Sequence, residues 1–77
     1  MFYVYVLKNE NDKLYIGYTS DLKKRLIEHN QGLNFSTKHS LPWKIIYYEA
    51  CLNQTDAKRR EQYLKTTQGG RLLKRRL

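Results

Sequence analysis

The chain has 77 residues, 40% hydrophobic and 29% charged, with 15 Lys and Arg against 7 Asp and Glu for a net charge of +8. A chain this short buries only about 60% of the surface it exposes when unfolded, which leaves room for one small core, roughly five or six elements and no separate substrate domain. Cys51 stands alone, which excludes an intramolecular disulfide and a cysteine metal cluster; the N-terminal residues show no basic leader and no apolar run approaches the ~18 residues of a membrane span, so a soluble cytoplasmic protein is expected.

The charge is uneven. Residues 1–22 carry two lysines against three acids, whereas residues 23–77 carry thirteen bases against four acids. Such a field attracts polyanions, and nucleic acid is the commonest polyanion in a cell. The plainer alternative is that the bases solvate the surface, but their clustering in two helices and the C-terminal residues favours a polyanion partner.

In chain order, Phe2–Leu7 is aromatic and β-branched and predicts a strand. Asn9–Lys13 is turn material, and Leu14–Tyr18 resumes the strand pattern, so the first eighteen residues predict a hairpin. Alternation places Val4, Val6, Leu14 and Ile16 on apolar faces and groups Tyr3 with Tyr5, and Tyr15 with Gly17. Thr19-Ser20 offers an N-cap, with Asp21 in the first turn of a helix over about Asp21–Asn30 that stops near Gly32. A polar loop over 33–42 leads to a third strand, Trp43–Glu49. Asn53 or Thr55 caps a second helix, about Asp56–Lys65, which Gly69-Gly70 is expected to break, and Arg71–Leu77 adds a short third helix. The order β-β-α-β-α-α predicts one α+β domain over residues 1–77, a three-stranded antiparallel sheet flanked by two to three helices.

Polar residues stand on inward faces. Leu22 and Leu26 define the stripe of the first helix, His29 falls between them on the wheel and Arg25 at its edge. Arg25 and His29 are one turn apart and can meet at a common point. On the second helix Glu61 lies between the inward residues Ala57 and Leu64, with Lys65 one turn on. Burying such groups is costly unless each finds a partner. Each also has a structural reading: Glu61 as an ion-pair partner of Arg25 or Lys65, His29 as a hydrogen-bonded core histidine, the tyrosines as strand filler. Together they match the needs of phosphodiester cleavage, namely a base, a phosphate clamp and a metal ligand.

These residues resemble a known family. Tyr3-Val4-Tyr5 followed by Tyr15-Ile16-Gly17 resembles the two half-motifs that name the GIY-YIG nucleases. Thr19–Leu22, Arg25-Leu26 and His29-Asn30 look like that family's first helix, and Pro42–Lys44 leading into Tyr47–Glu49 looks like its third strand. Ala57, Arg60-Glu61 and Leu64-Lys65 look like the helix carrying its metal-binding glutamate. The likeness spans about residues 2–65 and is nearest to small stand-alone proteins similar to the nuclease domain of the excinuclease UvrC, a DNA-repair enzyme. It implies Tyr15 as general base with Tyr5 beside it, Arg25 on the scissile phosphate and His29 assisting. It also implies Glu61 as the sole protein ligand of Mg²⁺ or Mn²⁺, and Gly17 leaving room for substrate. Three departures stand out: Tyr3 replaces the glycine of the first half-motif, Tyr18 follows Gly17 where some relatives place a lysine, and no Asn follows Asn53.

The implied activity is metal-dependent cleavage of DNA, with RNA left open. Lys23, Lys24, Lys58, Arg59, Lys65, Arg71, Lys74, Arg75 and Arg76 are expected to contact phosphates without sequence preference, so a structure-selective cut or a protein partner supplying specificity is expected. The alternatives are a non-catalytic nucleic-acid-binding module that keeps the fold, and an adaptor docking on an acidic protein.

Overall fold

The computed structural model describes residues 1–77. Strands β1 (Phe2–Lys8) and β2 (Leu14–Thr19) pair antiparallel, with Tyr5 opposite Gly17 and Val6 opposite Ile16. Asn9 organises the turn between them: its side-chain oxygen accepts from the backbone N–H of Asn11 at 3.0 Å and of Lys13 at 2.8 Å. Asp12 takes the left-handed conformation at φ 62°, which a short polar side chain tolerates.

Strand β3 (Lys44–Cys51) joins the other edge of β1, giving the order β2-β1-β3. A bulge between Val6 and Leu7 leaves Ile46 without a cross-strand partner. It inverts the alternation along β3, so Tyr48 and Ile45 both lie on the face of Tyr5 and Leu7.

The central strand is covered on both sides. Helix α1 (Leu22–Asn30) packs Leu22 and Leu26 with Trp43, Tyr15 and Ile45 over Tyr5 and Leu7. Helices α2 (Gln54–Leu64) and α3 (Thr67–Arg76) pack Ala57, Leu64 and Leu73 over Val4 and Val6. The α+β class, the antiparallel sheet and the β-β-α-β-α-α order all agree with expectation. No helix is long and apolar enough to cross a membrane.

Local details correct the sequence reading. Asp21 itself caps α1, its carboxylate accepting from the Lys24 N–H at 3.1 Å, while Thr19 Oγ1 accepts from the Asp21 N–H. Asn53, the first of the two expected caps, caps α2. Gly69-Gly70 do not break a helix; they lie inside α3, because Thr66 recaps the chain after α2 and accepts from the Gly69 N–H at 3.1 Å. Gly69 is needed there for another reason. A Cβ at that position would sit 1.8 Å from the Tyr63 carbonyl oxygen, so its lack of a side chain lets α3 turn tightly against the end of α2. Leu14, expected on an apolar face, is 39% exposed; it stands at the end of the edge strand and lines an open hollow with Arg76 and Leu77 at the end of α3.

Candidate active site

Tyr5 projects from the middle of β1 into the layer beneath α1 and is 2% exposed. Its hydroxyl lies 2.9 Å from Nε2 of His29, and the Nε–H of Arg25 donates to it at 3.4 Å. The four-residue spacing of Arg25 and His29 thus brings both to one phenol, as one helical turn allows. On the far side of the imidazole, Nδ1 lies 2.7 Å from Thr37 Oγ1. Thr37 is fully buried, and its carbonyl accepts from the Trp43 indole N–H at 3.0 Å. Asn30 brackets the backbone of Trp43, accepting from its N–H at 2.7 Å and donating to its carbonyl at 2.9 Å. The loop after α1 is therefore tied to the site through residues far apart in sequence.

Burial pushes the Tyr5 phenol above its ordinary range; the Arg25 hydrogen bond pulls it back in part, and the nearby Tyr15 and Glu61 raise it again. Burial, and then the Arg25 charge, hold the His29 imidazole below its usual value. At neutral pH the buried chain is a neutral phenol and a neutral imidazole beside a guanidinium. A neutral imidazole donates through one nitrogen and accepts through the other, so one of the Tyr5 and Thr37 hydroxyls donates to the ring and the other accepts from it.

Tyr15 packs edge-on against His29 with ring centroids 5.0 Å apart, and lies 6.4 Å from the Tyr5 ring. Its hydroxyl takes part in none of the buried bonds. Gly17 is opposite Tyr5, and a Cβ there would stand 2.6 Å from the Tyr5 hydroxyl and 3.1 Å from the Tyr15 ring. The room this glycine leaves is occupied by the Tyr5 phenol, a packing reason that the expected role of admitting substrate does not require.

Arg25 donates through Nη1 to Glu28 at 3.3 Å, and its side chain is 34% exposed. A polar hollow of about 430 Å³ opens beside it, lined by the 18–21 turn with Lys24 and Glu28.

Glu61 stands on α2, in the opposite layer, and is not among the residues lining the hollow beside Arg25. Its side chain is only 16% exposed and its carboxylate acts on the Tyr5 phenol, yet it makes no hydrogen bond to Tyr5 or Arg25. Its ion pair is with Lys65, at 3.3 Å, and Arg25 pairs with Glu28 instead. No group of three or more His, Cys, Asp or Glu side chains could hold a metal. That donor set does not suit an ion caged by protein. It suits Mg²⁺, which keeps most of its waters and takes one or two carboxylates, and the 53% exposed Lys65 can yield its place.

The nine expected phosphate contacts, Lys23, Lys24, Lys58, Arg59, Lys65, Arg71, Lys74, Arg75 and Arg76, are all exposed, and Lys65 alone of them is ion-paired. They are not gathered on one face, because α1 and the α2–α3 pair flank opposite sides of the sheet.

Sequence reasoning missed Thr37, for which a polar loop carries no signal. It also missed Glu28, which three-residue spacing to Arg25 could have flagged. A second polar cluster went unseen on the α2 face: Arg60 grips Glu49 through two bonds of 2.8 and 3.0 Å, and the Tyr47 hydroxyl donates to the same carboxylate. This pairing holds the Glu49 carboxyl below its usual range, the Arg60 bond being the largest cause.

Comparison with known proteins places these features in a family context. The GIY-YIG catalytic domain profile matches residues 1–74. A UPF0213 protein of Clostridium perfringens is 41% identical over 66 residues, covering 84% of this chain and 71% of that protein. One from Staphylococcus saprophyticus is 37% identical over 65 residues, covering 83% of this chain and 79% of its own. The solution NMR structure of a UPF0213 protein from Bacillus halodurans superposes with a TM-score of 0.56 at 27% identity, covering 95% of this chain and 82% of that one.

Proposed function

The chain belongs to the GIY-YIG family, and we propose that it is a divalent-metal-dependent endonuclease that hydrolyses phosphodiester bonds of DNA. The observation that carries this reading is the state of Arg25. Its Nε is committed to Tyr5 and its Nη1 to Glu28, which leaves Nη2 without a protein partner on a side chain that lines a polar hollow. A guanidinium held at two nitrogens and free at the third is a pre-aimed donor for a phosphate oxygen.

In this reading Arg25 fixes the scissile phosphate and offsets charge gathering on it. Tyr15 takes the proton of the attacking water, since its hydroxyl is not consumed by internal bonds. Tyr5 is unsuited to that task because burial keeps its proton on. Positive charge gathered at the site would help the Tyr15 phenol take that proton. His29 packs against Tyr15 and anchors Tyr5, holding both rings in place. Glu61 would hold Mg²⁺ or Mn²⁺, which supplies polarisation of the phosphoryl oxygen and stabilisation of the leaving alkoxide. The exposed bases contact phosphates without reading sequence, so substrate choice rests on nucleic-acid structure or on a partner protein.

A second reading, a nucleic-acid-binding module without catalysis, draws on the Glu61–Lys65 pair, which satisfies that carboxylate without a metal. Purified protein incubated with branched and linear DNA, with Mg²⁺ or Mn²⁺ and with chelator, separates the two. Cleavage that requires metal and is lost in Glu61→Ala and Tyr15→Phe is the expected result. Binding that survives both substitutions with no cutting by the wild type would establish the module instead.

A further inference from the structure

The sheet face that carries Tyr5 is covered only in part. Side chains of Tyr3, Tyr5 and Leu7 on β1 share it with Gly17 and Thr19 on β2 and with Tyr48 and Ala50 on β3. Helix α1 and Trp43 seal the Leu7 end, where Leu7 is 0% and Tyr5 2% exposed. At the other end Tyr48 is 57% exposed, Ala50 is exposed and Tyr3 is half-buried. The Tyr3 and Tyr48 rings meet edge to face, centroids 6.1 Å apart and planes at 71°. The pair steadies itself while Tyr48 stays more than half exposed.

We infer that Tyr3 and Tyr48 form a stacking platform for an unpaired nucleobase next to the phosphate held by Arg25. The inference rests on the nucleic-acid reading above and adds a substrate class to it. Three observations carry it. Tyr48 is the direct cross-strand neighbour of Tyr5, and cross-strand side chains lie within roughly 5 Å of each other at Cβ. Thr19, which lines the hollow beside Arg25, is the direct cross-strand neighbour of Tyr3, so that hollow and the tyrosine pair adjoin on one face of the sheet. The chain also carries a net charge of +8, which favours a polyanion over an uncharged apolar peptide or a second, equally basic copy of this chain as the occupant.

The geometry also selects the state of that polyanion. Bases within a duplex are stacked on both faces and cannot lie on a sheet, whereas a splayed base can, and aromatic residues on an open sheet are a general means of holding one. Because every base has a π-face, the platform reads the presence of an unpaired nucleotide and not its identity. A frayed, branched or single-stranded substrate is the consequence. Tyr3 stands where the first half-motif carries glycine, so half of the platform is supplied by a departure from that motif.

The test is fluorescence anisotropy with end-labelled single-stranded and duplex oligonucleotides of equal length, in EDTA so that nothing is cut. Wild type is expected to favour the single strand. Tyr48→Ser should weaken that binding about 5- to 150-fold, the range expected for one stacked base, and Tyr48→Phe should restore it. An oligonucleotide of abasic residues should bind wild type and Tyr48→Ser alike. Equal loss on duplex and single strand, or no loss on either, overturns the inference. So does sedimentation showing that Tyr48→Ser splits a dimer while oligonucleotide affinity is unchanged, which would assign the face to a second copy of the chain. Tyr48 is exposed, so the variants should fold, and unchanged thermal melting checks this. Failure here leaves the cleavage experiment standing, and an uncleaved but platform-bound strand would sink the endonuclease alone.

Discussion

The hydroxyl of Tyr5 and Nε2 of His29 lie 2.9 Å apart, one on the central strand and the other in the last turn of α1. This single bond fastens helix to sheet and sets the ring against which Tyr15 packs. Stability and the candidate chemistry therefore share the same atoms, and changes at this contact should be read in both.

Acid should weaken the fold through His29. Its value is lowered on folding, by burial first and Arg25 second, from an ordinary 6.5. Below that ordinary value the unfolded chain binds a proton that the folded chain resists, so stability is complete above about pH 6.5 and falls as pH drops through and below it. Urea midpoints between pH 7.5 and 5.5 should decline for the wild type. For His29→Gln, lower at the start, they should stay flat across that window. A parallel decline in both proteins would assign the effect elsewhere.

Gly17→Ala should be poorly tolerated. The new methyl would meet the Tyr5 hydroxyl at 2.6 Å and Cζ at 2.8 Å, and Tyr5 is pinned by His29 and Arg25. Overpacking of this kind costs about 1–3 kcal/mol. Urea denaturation should show that loss together with reduced nuclease activity; an unchanged midpoint would mean the phenol moves freely.

The adjacent glycines of α3 should respond in opposite directions. Gly69→Ala drives a Cβ into the Tyr63 carbonyl and should unseat α3 and with it Leu73, a core residue. A methyl at Gly70 would meet no atom within 4 Å, so Gly70→Ala should stabilise by about 0.5–1 kcal/mol through helix propensity. Thermal melts of the two variants should move to either side of the wild type, and a shift in the same direction would contradict this account of the α2–α3 junction.

Lys65 should compete with metal for Glu61. The ammonium lies 3.3 Å from Oε1 of the carboxylate and is 53% exposed, so it contributes little and yields readily. Replacing it by methionine should lower the Mg²⁺ concentration for half-maximal cleavage by up to about fivefold, the equivalent of an exposed ion pair worth about 1 kcal/mol. No change in that concentration would remove Lys65 from the metal equilibrium.

What could be read from the chain alone was what depends on near neighbours. Alternation set Tyr5 and Val4 on opposite faces of β1, four-residue spacing aligned Arg25 with His29, and the pair Asn53 and Thr55 marked where α2 begins, because each effect spans a few residues of regular backbone. The half-motifs around Tyr5 and Gly17 pointed to the family for the same reason. What only the tertiary structure decided were pairings between layers. Thr37 closing on His29, Arg60 on Glu49, Tyr48 beside Tyr5, and Gly69 against the Tyr63 carbonyl all depend on how helices and loops dock on the sheet. Docking is settled by the summed burial of distant side chains, and no short window of sequence contains that sum.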